Sequence, residues 1–308
     1  KNTISSSDHN TVTVTASGGK QQSDTGYAYL FAVEPYETTV KNHTPLAHAA
    51  MATSYTFKVK LNKNSSNSLL QKKFYIATVN RGIYRIISNG YYIQNPQAAA
   101  TNTKAFPKAA HGTKKGIKTS ADSVGLAKNL NCSHVVLDLP IDGFLSGSDL
   151  AYQYEGKTYH FSSIINVYGD RIKTYNNAGI VVTGIFYLYD GSNTNYMYPA
   201  AASGSRKNSA TLYALNTKNS HRKRLEALFA CLAEKWSTNG ITLANWIYGN
   251  ELQQYNVYNY TGDVSYSEYH EALAEGFRMF NASIKSRWSN ARTYISLDHN
   301  WNLSWSLS

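Results

Sequence analysis

Apolar and polar residues alternate in short runs along the N-terminal part of the chain. The runs are residues 11–15 (TVTVT), 27–33 (YAYLFAV), 54–61 (SYTFKVKL), 73–79 (KFYIATV) and 83–87 (IYRII). A period of two places successive side chains on opposite faces of a strand, and β-branched and aromatic residues suit such a pleated surface. Turn chemistry separates the runs at Gly18-Gly19, at Glu34-Pro35 and across residues 62–67. Residues 1–95 therefore predict a small antiparallel β-sandwich. Ala32, Phe57 and Phe74 fall on its inner faces, and the pattern shows no exposed aromatic row. The sandwich is expected to buttress the C-terminal part of the chain rather than to bind a ligand. Residues 96–112 read as a polar, Pro-containing connector.

From residue 113 to 308 the pattern switches to strands alternating with helices. Strand runs are 116–118, 134–139 (HVVLDL), 180–189 (IVVTGIFYLY), 245–248 and 293–297. The continuous apolar runs predict strands buried on both faces. Four stretches carry helical spacing. In 121–130, Ser120 can cap and Asp122 suits the first turn. In 164–178, Ile164, Tyr168, Ile172 and Tyr175 share a face, and Gly179 stops the helix. In 221–236 the face is Leu225, Leu228, Phe229, Leu232 and Trp236; in 267–288 it is Tyr269, Leu273, Phe277, Phe280 and Ile284. Five βα steps imply a parallel sheet with helices outside. No G-x-G-x-x-G, Walker loop, G-x-S-x-G, H-E-x-x-H or C-x-x-C occurs. A (β/α)₈ TIM barrel is therefore preferred to a doubly wound sheet. It is expected to be incomplete, since 113–308 is shorter than the roughly 250 residues a barrel takes.

Composition changes the picture in three ways. Only 16% of the residues are charged, and the polar load falls on Asn, Ser, Thr and 25 Tyr. A net charge of +11 invites a nucleic-acid reading, but the basic residues form short scattered clusters such as Lys72-Lys73, Lys114-Lys115 and Arg222-Lys223-Arg224. The charge is read instead as a basic surface, with anionic cell-envelope polymers as a further partner class. The two cysteines, Cys132 and Cys231, lie in apolar-periodic segments and read as buried thiols. Low cysteine with abundant Tyr, Asn and Ser suits a secreted bacterial protein, extracellular or at the cell surface. No run approaches a membrane span, and nothing at Lys1 resembles a signal peptide, so the chain reads as a mature or excised segment. Oligomeric state leaves no mark.

In a barrel, chemistry sits where strands end. Those ends carry Asp138, then Asp142; Tyr187, Tyr189 and Asp190; Asn250 and Glu251; and Asp298, His299 and Trp301. Rings that stack and side chains that hydrogen-bond are what a sugar needs. The loops after these ends, 149–161 (a hairpin candidate), 192–198 and 253–262, are rich in Tyr and Asn and read either as cleft walls or as ordinary surface loops. No cofactor motif appears. Asp298-His299 has no matching ligands at other ends, so no metal is expected.

The stretch 245–251 (NWIYGNE) resembles the strand-four ending of the large retaining glycosidase clan with (β/α)₈ barrels. Together with 73–77 (KFYIA), 90–96 (GYYIQNP), 114–118 (KKGIK) and 296–301 (SLDHNW), it resembles an uncharacterised bacterial glycosyl-hydrolase-like family. That family pairs an N-terminal β-sandwich with such a barrel. The resemblance implies Glu251 as general acid/base and Asn250 as ligand of the sugar 2-hydroxyl. Asp138, Tyr187, Asp190, His299 and Trp301 then line the substrate site, and the partner is a carbohydrate. The clan's nucleophile is a Glu ending strand seven, and no strand seven is found here. Either it lies beyond Ser308, which is preferred, or Asp138, Asp190 or Asp298 stands in, or the protein binds carbohydrate without hydrolysing it. For Glu251 itself the plain alternative is an exposed or ion-paired carboxylate at a strand end.

Overall fold

The computed structural model describes residues 1–19, 21–110, 112–119, 123–189, 193–204 and 210–298. The chain divides into two compact units, Lys1–Thr101 with Tyr154–Lys157, and the remainder.

The first unit holds β1 (Asn2–Ile4), β2 (Thr11–Ser17), β3 (Tyr27–Val33), β4 (Ala47–Ala50), β5 (Ser54–Lys60), β6 (Lys73–Asn80) and β7 (Ile83–Ile86). They make two antiparallel sheets, ordered β1-β2-β5 and β4-β3-β6-β7. Alternation sets what each sheet buries. Val12 and Val14 from β2, Phe57 from β5, Leu30 from β3, and Phe74 and Ile76 from β6 meet in one core, against which Ala32 packs. The sequence pattern misses β1 and β4, which are short and lack an apolar run. On the other face of the four-stranded sheet a second cluster buries Phe31, Val33, Val40 and Ala77. There Tyr27 and Tyr29 lie against His48, and Tyr84 meets Tyr29 and Phe31 edge-on at 5.2 and 4.9 Å. The strand order β4-β3-β6-β7 brings these residues together from remote positions in the sequence.

The second unit runs β8 (Gly116–Thr119), α1 (Val124–Asn129), β9 (His134–Pro140), α2 (Ile141–Leu145), β10 (Leu150–Tyr154), β11 (Lys157–Phe161), α3 (Ile164–Asn177), β12 (Val181–Tyr189), α4 (Pro199–Ser203), β13 (Leu212–Tyr213), α5 (Arg222–Lys235), β14 (Leu243–Tyr248), α6 (Tyr255–Tyr258), α7 (Tyr266–Lys285) and β15 (Arg292–Ile295). The parallel strands lie in chain order, β8-β9-β12-β14-β15, and the short β13 pairs antiparallel with the end of β12. Crossovers between parallel strands are right-handed as a rule, and with no reversal of order they fall on one face of the sheet. No closed barrel forms among the described residues; β8 and β15 are open edges. The architecture is mixed α/β, a parallel sheet accompanied by antiparallel ones.

One-sided cover corrects the expectation for the second strand. In β9, Val135, Leu137 and Leu139 are buried, whereas Val136 and Asp138 on the other face are half-buried. On the covered face an aromatic core joins sheet to helices. Phe186 stacks on Trp246 at 5.2 Å, and Phe280 packs edge-on against Phe186 and Phe229. Helix α3 is rotated from its expected face: Ile165, Gly169, Ile172 and Tyr175 are buried, and Ile164 is exposed. Gly169 sits where Trp236 crosses and donates its ring N–H to the carbonyl of Ile165 at 3.1 Å. A residue without a side chain lets that ring approach. Helix α1 begins at Val124 after Ser123, later than the expected 121–130; Ser120 and Asp122 lie outside the described residues.

Candidate functional site

The C-terminal strand ends bring two groups of polar residues into place. The first stands on the face of the sheet away from the helices. Parallel register sets Asp138 beside Ile185 and Tyr187 beside Pro140, so both polar side chains leave the same face. Lys118, on neighbouring β8, brings its ammonium to 3.1 Å from Asp138 Oδ1. The Tyr187 ring meets that of Tyr189 edge-on at 5.1 Å. Asp142 in α2 accepts the Tyr189 backbone N–H at 3.2 Å. Burial, then the neighbouring Tyr189 and Asp138, push the Tyr187 hydroxyl far above its ordinary range. It therefore stays protonated and is held as a donor. Burial similarly raises Tyr168, against the opposing charge of Arg171.

The second group follows β14. The Gly249 N–H donates to the Phe186 carbonyl at 2.9 Å, and the chain then turns sharply. Gly249 takes φ +69° and Glu251 φ +45°. A Cβ at Gly249 would stand 2.5 Å from the end of the Leu252 side chain, and the left-handed φ there favours glycine. Glu251 occupies the left-handed region with a side chain, which costs about 1–2 kcal/mol. Surrounding bonds hold it there. Leu252 donates its N–H to Ser296 at 3.1 Å, and the Tyr269 hydroxyl donates to the Leu252 carbonyl. Asp298 accepts the Gln254 side-chain amide at 2.6 Å, and its own N–H donates to Gln253 Oε1 at 2.7 Å. From this fixed turn the Glu251 carboxylate projects half-buried, with no hydrogen bond or ion pair to any described residue.

Asp138 and Tyr187 thus come together at one pair of strand ends, and Asn250 and Glu251 at the next. Asp190, His299 and Trp301, with Trp305, lie outside the described residues. Lys118, Gln253 and Gln254 escaped the sequence reading. Their signal lay in topology: neighbouring parallel strands end level, so the residues just after them meet. The loops expected to wall a cleft are knitted together instead. Tyr198 N–H donates to Ala214 O, Ala214 N–H to Tyr260 O, and Tyr260 N–H to Leu212 O, at 2.8–3.0 Å. The cavity beneath them, between Tyr187, Tyr213, Tyr248 and Tyr258, measures about 10 Å³. No cluster of metal-ligating side chains occurs among the described residues, and none of their helices is long and apolar enough to cross a membrane.

Residues 107–307 match DUF5722, a family of unknown function. The chain belongs to this family. The DUF5722 segment contains the whole parallel sheet and both polar groups. No curated protein matches the chain. Distant similarity exists to the structure of a β-D-glucuronidase from Dictyoglomus thermophilum, at 10% identity and TM-score 0.29 over 94% of this chain and 42% of that one. A calcium-binding mutant of Bacteroides uniformis β-glucuronidase 2 is similar at 8% identity and TM-score 0.32, over 98% and 36%. The chain spans less than half the length of either protein. Likeness at this level decides neither fold nor chemistry, which rest on the geometry of the strand ends.

Proposed function

We propose that this DUF5722 protein acts on a polysaccharide or oligosaccharide as a retaining glycoside hydrolase, with Glu251 as general acid/base. One observation carries the reading: a carboxylate without partners among the described residues, held in a strained left-handed turn at the end of the fourth parallel strand. Backbone strain persists where surrounding structure over-determines it, and it gathers at functional sites. The parallel sheet, in chain order with helices on one face, supports reading it as the first five strands of a TIM barrel. In the mechanism, Glu251 protonates the leaving glycosidic oxygen and then, as carboxylate, takes a proton from the attacking water. Asn250 offers its amide to the sugar 2-hydroxyl. Tyr187, kept protonated, donates a further hydrogen bond, and Lys118 pairs with Asp138 beside it.

The nucleophile of a retaining pair stands about 5–5.5 Å from the acid/base. Lys118 engages Asp138, and Asp298 clamps Gln254, so neither is offered for that role. It is assigned to a carboxylate on a later strand of the same barrel. The reading also places the protein outside the cell, where polymeric glycans are met.

The test compares the full-length natural protein with its Glu251→Gln variant on a panel of polysaccharides, scoring reducing ends released. Loss of about 10²–10⁴-fold in kcat, the usual worth of acid/base catalysis, is expected. Equal turnover by both proteins removes Glu251 from the mechanism. A second reading, a carbohydrate-binding protein that has lost hydrolysis, draws on the small cavity beneath the knitted loops. Glycan binding by the full-length protein with no product from any substrate would select it.

A further inference from the structure

We infer that the first unit carries an oligosaccharide-binding cleft of its own, at the place where its two sheets part. The cleft holds about 720 Å³, within the usual range for ligand sites. Core side chains Leu30 and Phe74 form its floor, and two tyrosines flank it. Tyr91 leaves 52% of its surface exposed. Its backbone is nonetheless locked: its N–H donates to the Phe74 carbonyl at 3.1 Å, and its carbonyl accepts from Phe74 N–H at 2.8 Å and from the Asn2 side chain at 3.1 Å. Tyr55 stacks on Phe57 at 5.9 Å, and its hydroxyl accepts the Ala52 N–H at 3.2 Å. One ring held by stacking and a second carried on a held backbone spare part of the ordering entropy of binding. The rim is made of hydroxyls and an amide, from Ser54, Thr56, Ser88 and Asn89.

The chemistry of this lining selects the ligand. Among the described residues no carboxylate lines the cleft, so none of them offers a metal ion a hard charged ligand there. Lys1 is the single charged residue among the described residues of the lining, too little for phosphate, which wants several charge-assisted donors. A purely apolar ligand would strip water from the rim hydroxyls without replacing their hydrogen bonds. A neutral oligosaccharide satisfies both parts: its C–H face covers a tyrosine ring and its hydroxyls exchange hydrogen bonds with the rim. The inference departs from the expectation that this unit serves as a buttress. The cleft shares its ligand class with the proposed function and none of its residues.

The experiment is isothermal titration of the full chain with cello-, xylo-, manno-, malto- and chitohexaose. At least one is expected to bind, and binding should be about tenfold weaker in Tyr91→Ala, equivalent to roughly 1.4 kcal/mol. Tyr91→Phe should bind like the parent, Asn89→Ala should weaken binding, and Glu251→Gln should leave it unchanged. Binding should also persist in high salt, because the ligand is neutral. Failure of all five sugars to bind overturns the inference. So does binding that Glu251→Gln abolishes while Tyr91→Ala and Asn89→Ala leave it intact, which would place the sugar at the strand ends.

Discussion

At Glu251 the identity of a side chain and the conformation of its backbone pull in different directions. Nothing in a glutamate announces φ +45°, yet the residue is held there by bonds on either side of it. Glycine is free of the left-handed penalty, so Glu251→Gly should be more stable than Glu251→Ala by about 1 kcal/mol in urea unfolding, although both lose the carboxylate. Equal stabilities would show that the turn is relaxed. Asn250 and Glu251 were legible as a strand-end dipeptide. Asp138 and Tyr187 were legible singly, but their association with Lys118 was not, because it arises from register between β8, β9 and β12. The cysteines illustrate the reverse case. Cys132 and Cys231 are buried and free, as their apolar surroundings in sequence imply, and burial pushes the Cys231 thiol up to about 12. Neither should react with Ellman's reagent in the native protein, and both should on unfolding. Prompt native-state labelling would contradict this.

At the scale of elements, helix α5 departs furthest from its pattern. Its apolar face was evident, but its charged residues suggested a solvated side. In the fold both Arg222 and Glu226 have no exposed surface. Arg222 Nε donates to Glu226 Oε1 at 2.7 Å, Lys223 Nζ reaches Glu226 Oε2 at 3.0 Å, and Arg222 Nη1 approaches Glu275 of α7 at 3.5 Å. Burial opposes the charge of Glu226, but Lys223 and Arg222 together outweigh it and hold its carboxyl below the ordinary 4.5. The pair's contribution is therefore full above pH 4.5 and is lost as pH falls through the lower folded value. Glu226→Ala removes the nearest carboxylate from a buried guanidinium and should cost about 3 kcal/mol at neutral pH, measured by urea unfolding. The variant's deficit should shrink in acid; a deficit constant to pH 3 would reject the coupling. Gly276 in α7 is a related case. A Cβ there would collide with the Tyr248 hydroxyl, so Gly276→Ala should lose about 1–3 kcal/mol by overpacking.

For the molecule as a whole, the consequential feature is a parallel sheet whose central strand is buried on both faces and whose edge strands are not. Its order follows the chain, so β12 sits at the centre, and β8 and β15 have one neighbour each. Hydrogen exchange should reflect this directly. Amides of Val181–Tyr189 are expected to be the slowest of the sheet, and those of Gly116–Thr119 and Arg292–Ile295 the fastest. Protection of both edge strands equal to that of β12 in the full-length protein would show them paired to further strands, as a closed barrel requires. Protection as low there as in the present chain would count against the barrel.

The five parallel strands, their alternation with helices, the N-terminal strands with their two-residue period, and the strand-end Asn-Glu were all determined by sequence alone. Each rests on local periodicity or on neighbouring residues, which a chain carries wherever it folds. The unequal burial along β9, the burial of α5 around its middle turns, the left-handed turn at Glu251 and the cleft between the first unit's sheets were decided only by tertiary structure. These depend on which remote segments become neighbours. Burial belongs to a residue's surroundings, and a side chain's pattern specifies only the face it shares with its own element.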